Sequence, residues 1–150
     1  MRHIYVPDTQ VRPGVPTDHL AWVAAYIVEK QPDRIIVGGD WWDFPSLSSY
    51  EEAGGETLEG ARVAEDIWVG NEAFKKFAAP IKAEIQRQKK NRIKSPWDPS
   101  CDFTDGNHDD RIDRVPKGAV KWKGLIGSHL LDTQNFTRHP FLQILWRDDI

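Results

Sequence analysis

The octapeptide TDGNHDDR, residues 104 to 111, gathers three carboxylates, an imidazole, an amide and a guanidinium around one glycine. Two other segments carry acids in a similar setting: PDTQ at 7 to 10, and GGDWWD at 38 to 43. An acid that follows a strand is more often a loop residue or a helix N-cap, and each segment alone is open to that reading. Together they point further. Carboxylate and amide oxygens brought from separate strand ends to one sheet edge are the donors a hard divalent cation requires, and one carboxylate can bridge two ions about 3.5 to 4 Å apart. Gly38 and Gly39 before Asp40, and Gly106 before Asn107, permit backbone conformations and close approaches that a side chain would block.

Such a site needs strands to position it. HIYVPD (3 to 8) and RIIVGGD (34 to 40) are short β-branched or aromatic runs that each stop at an aspartate. Between them, TDHLAWVAAYIVEKQPD repeats Leu20, Val23, Ala24, Ile27 and Val28 with helical period. The spacing predicts a βαβ unit with parallel strands, whose ligands collect at the carboxyl ends where Asp8 and Asp40 sit. Residues 57 to 94 read as a long helix with a seam of Leu58, Ala61, Ala64, Trp68, Phe74, Ala78, Ile81 and Ile85, which Pro80 should kink or divide. CDFTD is expected as a third strand leading into the octapeptide, LIGSHLL (125 to 131) as a short helix and FLQILW (141 to 146) as a last strand. The fold class is therefore α/β, a βαβ-built sheet with flanking helices.

At 39% hydrophobic and 11% aromatic, 150 residues can bury one ordinary core, so a single domain over 1–150 is expected. The balance of 23 acidic against 20 basic residues gives no bulk attraction to nucleic acid or anionic membrane. Cys101 is the single cysteine, and the opening MRHIYVPDTQ is too short in apolar residues for a secretion signal. With no apolar run near the ~20 residues of a membrane span, the expectation is a soluble, cytoplasmic protein without a membrane partner.

On the three acidic segments, the chain resembles the calcineurin-like metallophosphoesterase family. Its motifs run Asp-x-His, Gly-Asp-x-x-Asp, Gly-Asn-His-Asp/Glu, a later His, and Gly-His-x-His. DTQ is similar to the first with Gln10 in place of histidine, GDWWD to the second at Gly39, Asp40 and Asp43, and GNHD to the third at Gly106 to Asp109. The last two have no counterpart, so the resemblance covers roughly residues 3 to 111, the N-terminal part of that fold, and implies a shortened version of it.

The resemblance implies hydrolysis of phosphomonoesters or phosphodiesters by a metal-bound hydroxide. It assigns Asp8 and Gln10 to a first metal, Asp40 to both, and Asn107 to the second and to the substrate. His108, steered by Asp109, would protonate the leaving oxygen or stabilise the phosphoryl charge. Oxygen donors at Gln10 favour manganese, with magnesium, nickel, iron or zinc as alternatives; the other reading of Gln10 is a loop hydrogen bond. Asp43 is expected to accept a hydrogen bond that orients a ligand or loop. Arg111 would hold a phosphate oxygen, or else form a salt bridge to Asp110 or Asp113. Trp41 and Trp42 would pack under the loop, or one would offer a stacking platform to a base or aryl ester.

Downstream, His139 is the better candidate for a missing metal ligand, ahead of His129. An exposed sheet edge points to a homo-oligomer over an open, weakly binding metal site. Lys82, Arg87, Lys89, Lys90, Arg92 and Lys94, with Glu84 as the one acid among them, form the local basic patch. It reads chiefly as a solvated helix face, and otherwise as a track for nucleic acid in a nuclease-like binder. A remnant that binds metal or nucleotide with little or no turnover is the other alternative.

Overall fold

The computed structural model describes residues 1–48 and 60–145. Four strands form one parallel sheet in the order β1 (His3–Val6), β2 (Arg34–Gly38), β3 (Ser100–Thr104) and β4 (Thr137–His139). Val6 stands opposite Val37, Val37 opposite Phe103 and Gly38 opposite Thr104, so the first three strands stop almost level. The chain segments that follow them leave from one edge of the sheet.

The first crossover is the expected helix, α1 (Asp18–Lys30), which buries Leu20, Ala24 and Ile27 along one stripe. Gln31 ends it in a left-handed conformation, returning its N–H to the Ile27 carbonyl just ahead of Pro32. The second crossover is α2 (Val63–Lys90), unbroken over 28 residues. Pro80 does not divide it: the proline is exposed, while Phe77, Ala78 and Ile81 on either side of it are buried. Packing of that face outweighs the one backbone donor that proline lacks.

The seam of α2 also differs from the expected one. Trp68 is 64% exposed, whereas the buried stripe runs through Asp66, Gly70, Ala73, Phe74, Phe77, Ala78 and Ile81. The reason is Trp42. A Cβ on Gly70 would overlap its indole ring, so the helix offers a notch there and the large side chain of the neighbouring strand's loop fills it. Leu58 lies outside the described residues.

After β3 the chain forms α3 (Arg111–Gly118), which the sequence reading did not anticipate. The expected short helix at 125 to 131 is only a 3-10 turn, Ser128–Leu130, and the last strand is Thr137–His139, ahead of the FLQILW run. Residues 141 and 142 make a turn, and Trp146 lies outside the described residues. Arg138 draws the strand to this earlier position, because its guanidinium pairs with both carboxylate oxygens of Asp105 at 2.6 and 3.0 Å.

The core lies on one face of the sheet. Ile35, Val37 and Phe103 are fully buried there beneath Leu20, Ile27, Phe74 and Phe77, and Phe74 packs edge-on against both Phe103 and Phe136. Tyr5, pointing to the other face, is 60% exposed. A sheet whose strands follow in sequence order with crossovers of one hand gathers its helices on one side. Among the described residues, no helix is long and apolar enough to cross a membrane.

The notch at Gly70 yields a stability test. Gly70→Ala should destabilise the fold by about 1 to 3 kcal/mol through overpacking against Trp42. Gly118→Ala, whose Cβ meets nothing within 4 Å, should stay within about 0.5 kcal/mol of the parent. Urea unfolding of the two variants checks the contrast, and equal midpoints would remove the notch from the account.

Candidate active site

Three loops meet at the carboxyl edge. The loop after β1 runs beside the loop after β2: Gln10 N–H donates to the Asp40 carbonyl at 2.8 Å, Val11 N–H to Trp41 at 2.7 Å, and Asp43 N–H to Val11 at 3.0 Å. Asp8, Gln10 and Asp40 all adopt left-handed backbone, with φ of 46°, 47° and 49°. Each such residue costs on the order of 1 to 2 kcal/mol, and concentration of strain at one place is characteristic of functional loops. Thr9 between the first two keeps a buried hydroxyl with no partner among the described residues.

The loop after β3 joins them through glycines. A Cβ on Gly39, at φ 81°, would lie 2.9 Å from Gly106 Cα, and one on Gly106 would overlap the Asp40 carboxylate and amide. The contact lets Asp40 Oδ1 accept the His108 N–H at 2.9 Å. Asp109, fully buried, accepts Trp42 N–H at 2.9 Å and Gly106 N–H at 2.8 Å. Burial pushes its carboxyl up to about 7, against the pull of those two N–H groups. Asp109 is thus a clamp between two loops.

The acid that touches His108 is Asp43. His108 Nδ1 lies 2.7 Å from Asp43 Oδ1, and Arg111 Nη2 lies 3.1 Å from His108 Nε2. Arginine has only donors, so Nε2 accepts, and the ring hydrogen sits on Nδ1 and is donated to Asp43. Arg111 also donates to the Asp43 carbonyl at 2.7 Å, and Arg12 reaches Asp43 Oδ2 at 3.4 Å. The expected role of Asp43 as an orienting acceptor has this form. Arg111 forms neither of the expected bridges: Asp110 pairs with Arg114 at 2.8 Å, and Asp113 accepts Ser128 N–H.

Asp8, Gln10 and Asn107 are exposed at this edge, and no side-chain hydrogen bond engages them among the described residues. His139 is set apart. Its Nε2 bonds Asp102 Oδ1 at 2.8 Å on the sheet, so the ring is committed to β3. No three His, Cys, Asp or Glu side chains among the described residues group closely enough to hold an ion; the four ligands expected from the sequence comprise two carboxylates and two amides. Trp41 and Trp42 are fully buried, which removes the stacking platform: Trp41 donates to the Gly70 carbonyl and Trp42 stacks on Phe74.

The basic patch lies elsewhere. The Asp66 and Gly70 end of α2 adjoins the site, and Lys82 follows Gly70 by roughly 18 Å of helix rise. Lys82, Arg87 and Lys89 are engaged with Gln134, Glu84 and Asp98.

The chain matches no family model, no curated protein and no solved structure.

Asp66 is a site residue that the sequence reading missed. It accepts both the backbone N–H and the hydroxyl of Ser46, and so ties α2 to the loop that carries Asp43. An acid on the buried stripe of an amphipathic helix was the available signal. Burial raises its pKa above the ordinary 3.8, with the Ser46 bonds opposing. The folded state therefore holds this proton more tightly than the unfolded one, and the contribution to stability is full below the ordinary value and fades as pH rises through the raised value. Asp66→Asn should flatten part of the stability loss as the pH rises from about 4 toward neutrality. Denaturant unfolding across that range checks it, and parallel pH curves for parent and variant would contradict it.

Proposed function

We propose that the protein hydrolyses phosphate esters, monoesters or diesters, with divalent metal ions at the carboxyl edge of its sheet. One observation supports the reading: the loops that carry Asp8 and Gln10, Asp40, and Asn107 meet at one sheet edge, beside a histidine whose Nδ1 is held by the Asp43 carboxylate. Calcineurin-like motifs carry these residue types in the same order, except for the histidine that Gln10 replaces.

The donors fit such ions by their chemistry. Three of the four side chains have no other hydrogen-bond partner among the described residues, and all four offer oxygen, which favours manganese or magnesium over zinc. Asp8, Gln10, Asp40 and Asn107 would hold the ions, which when bound supply neutralisation of the phosphate charge and a more acidic water.

The chain's own groups do the rest. Asp43 fixes the His108 ring and keeps its hydrogen on Nδ1, so Nε2 is the atom turned toward substrate. An arriving phosphate takes the Arg111 N–H that occupies Nε2, and Arg111 then holds a phosphate oxygen while the freed Nε2 takes up a proton from water and gives it to the leaving oxygen. Asp109 acts on substrate only through the loops it joins.

Asp40→Asn should lower manganese-dependent hydrolysis of bis(p-nitrophenyl) phosphate by about a hundredfold or more, with the circular dichroism unchanged. A near-normal rate in that variant would sink the bridging role, and no hydrolysis in the parent would favour the remnant that binds without turnover. His108→Ala should cost about a hundredfold in turnover and leave the metal content per chain as it was. Loss of metal in that variant would make His108 a ligand instead.

A further inference from the structure

Arg111 faces two ways. One Nη donates to His108, and the side chain also lines a cavity of about 270 Å³ with Leu47, Arg114, Val115 and Gly118. Leu47 and Val115 give apolar walls. Gly118 leaves its end open, since a Cβ there meets nothing within 4 Å. Arg114 is anchored to the same loop as the site, through Asp110 and the Asn107 carbonyl.

We propose that this cavity receives the organic substituent of the phosphate ester, and that the substituent is one flat aromatic ring system, an aryl group or a nucleobase. The inference rests on the phosphoesterase reading. Three properties of the cavity select that class. Its volume of about 270 Å³ falls just under the roughly 300 Å³ at which ligand pockets start, so it has room for a ring and not for a strand or a folded partner. Planar guanidinium groups stack on aromatic faces, and Arg111 and Arg114 both border the space. Leu47 and Val115 add apolar contact that a ring makes use of. Arg111 links the two sites, so a ring lodged here leaves its phosphate within reach of the guanidinium and His108.

Phenylphosphonate and methylphosphonate separate the ring from the anion, because neither carries an ester bond to hydrolyse. Isothermal titration in the presence of manganese should give phenylphosphonate the tighter binding by about tenfold or more. That ratio should fall toward one in Val115→Asp, which charges a wall, and in Gly118→Phe, which fills the space from its open end. Circular dichroism of both variants controls for folding. Equal affinities in the parent, or a preference that persists in both folded variants, would overturn the cavity assignment while leaving the anion site standing. Failure of either phosphonate to bind the parent, with no ester hydrolysed, would overturn both readings.

Discussion

The contact between Gly39 and Gly106 is the constraint on which the site depends. Two loops from adjacent parallel strands pass so closely that neither glycine has room for a Cβ, and Asp40 lies in the space a Gly106 side chain would take. Everything polar at this edge follows from that approach. Asp40 reaches the His108 amide, Asp109 reaches the Trp42 amide, and the loop after β1 is then stitched to Asp40 and Trp41 by backbone bonds. Separation of the loops by one methyl group would break the first two of these links together.

The approach has an energetic cost, and the fold offsets it with aromatic packing. Three left-handed non-glycine residues and a buried carboxylate are each unfavourable alone. Beneath them Trp41, Trp42, Phe74, Phe77 and Phe103 form a connected cluster of rings with no exposed surface. Rings of this size contribute the largest single burial terms in a core, and their pairing adds to it. The same GDWWD segment thus supplies the carboxylates above and the anchors below. Rigidity of the site comes from that double use.

The one-sided sheet separates functions along α2. Its first turn meets the site through Asp66, its middle admits Trp42 at Gly70, and its basic end serves local pairs with Glu84 and Asp98 near the start of β3. Arg87 and Gln88 pull Glu84 down to about 2, which marks a locally satisfied charge cluster. Arg87 and Lys89 on this helix end thus have local partners.

Hydrophobic period and short β-branched or aromatic runs that stop at an aspartate were sufficient to locate β1, α1, β2 and β3 from the sequence, because each of those signals is local in the chain. That the loops after β1, β2 and β3 leave from one edge was legible for the same reason: parallel strands of matched length end together. Which acid serves His108 was not legible. Asp109 is its neighbour in sequence, yet Asp43, 65 positions away, holds its ring, since the glycine contact turns Asp109 inward and brings Asp43 across. The α2 stripe and the place of β4 were hidden likewise. Trp68 is more apolar than Gly70, but the notch is set by an indole from another element, and β4 is set by the pairing of Arg138 with Asp105. Periodicity reports what one segment prefers; partners distant in sequence decide which side of it is buried and which atoms meet, because shape and charge complementarity exist only between packed surfaces.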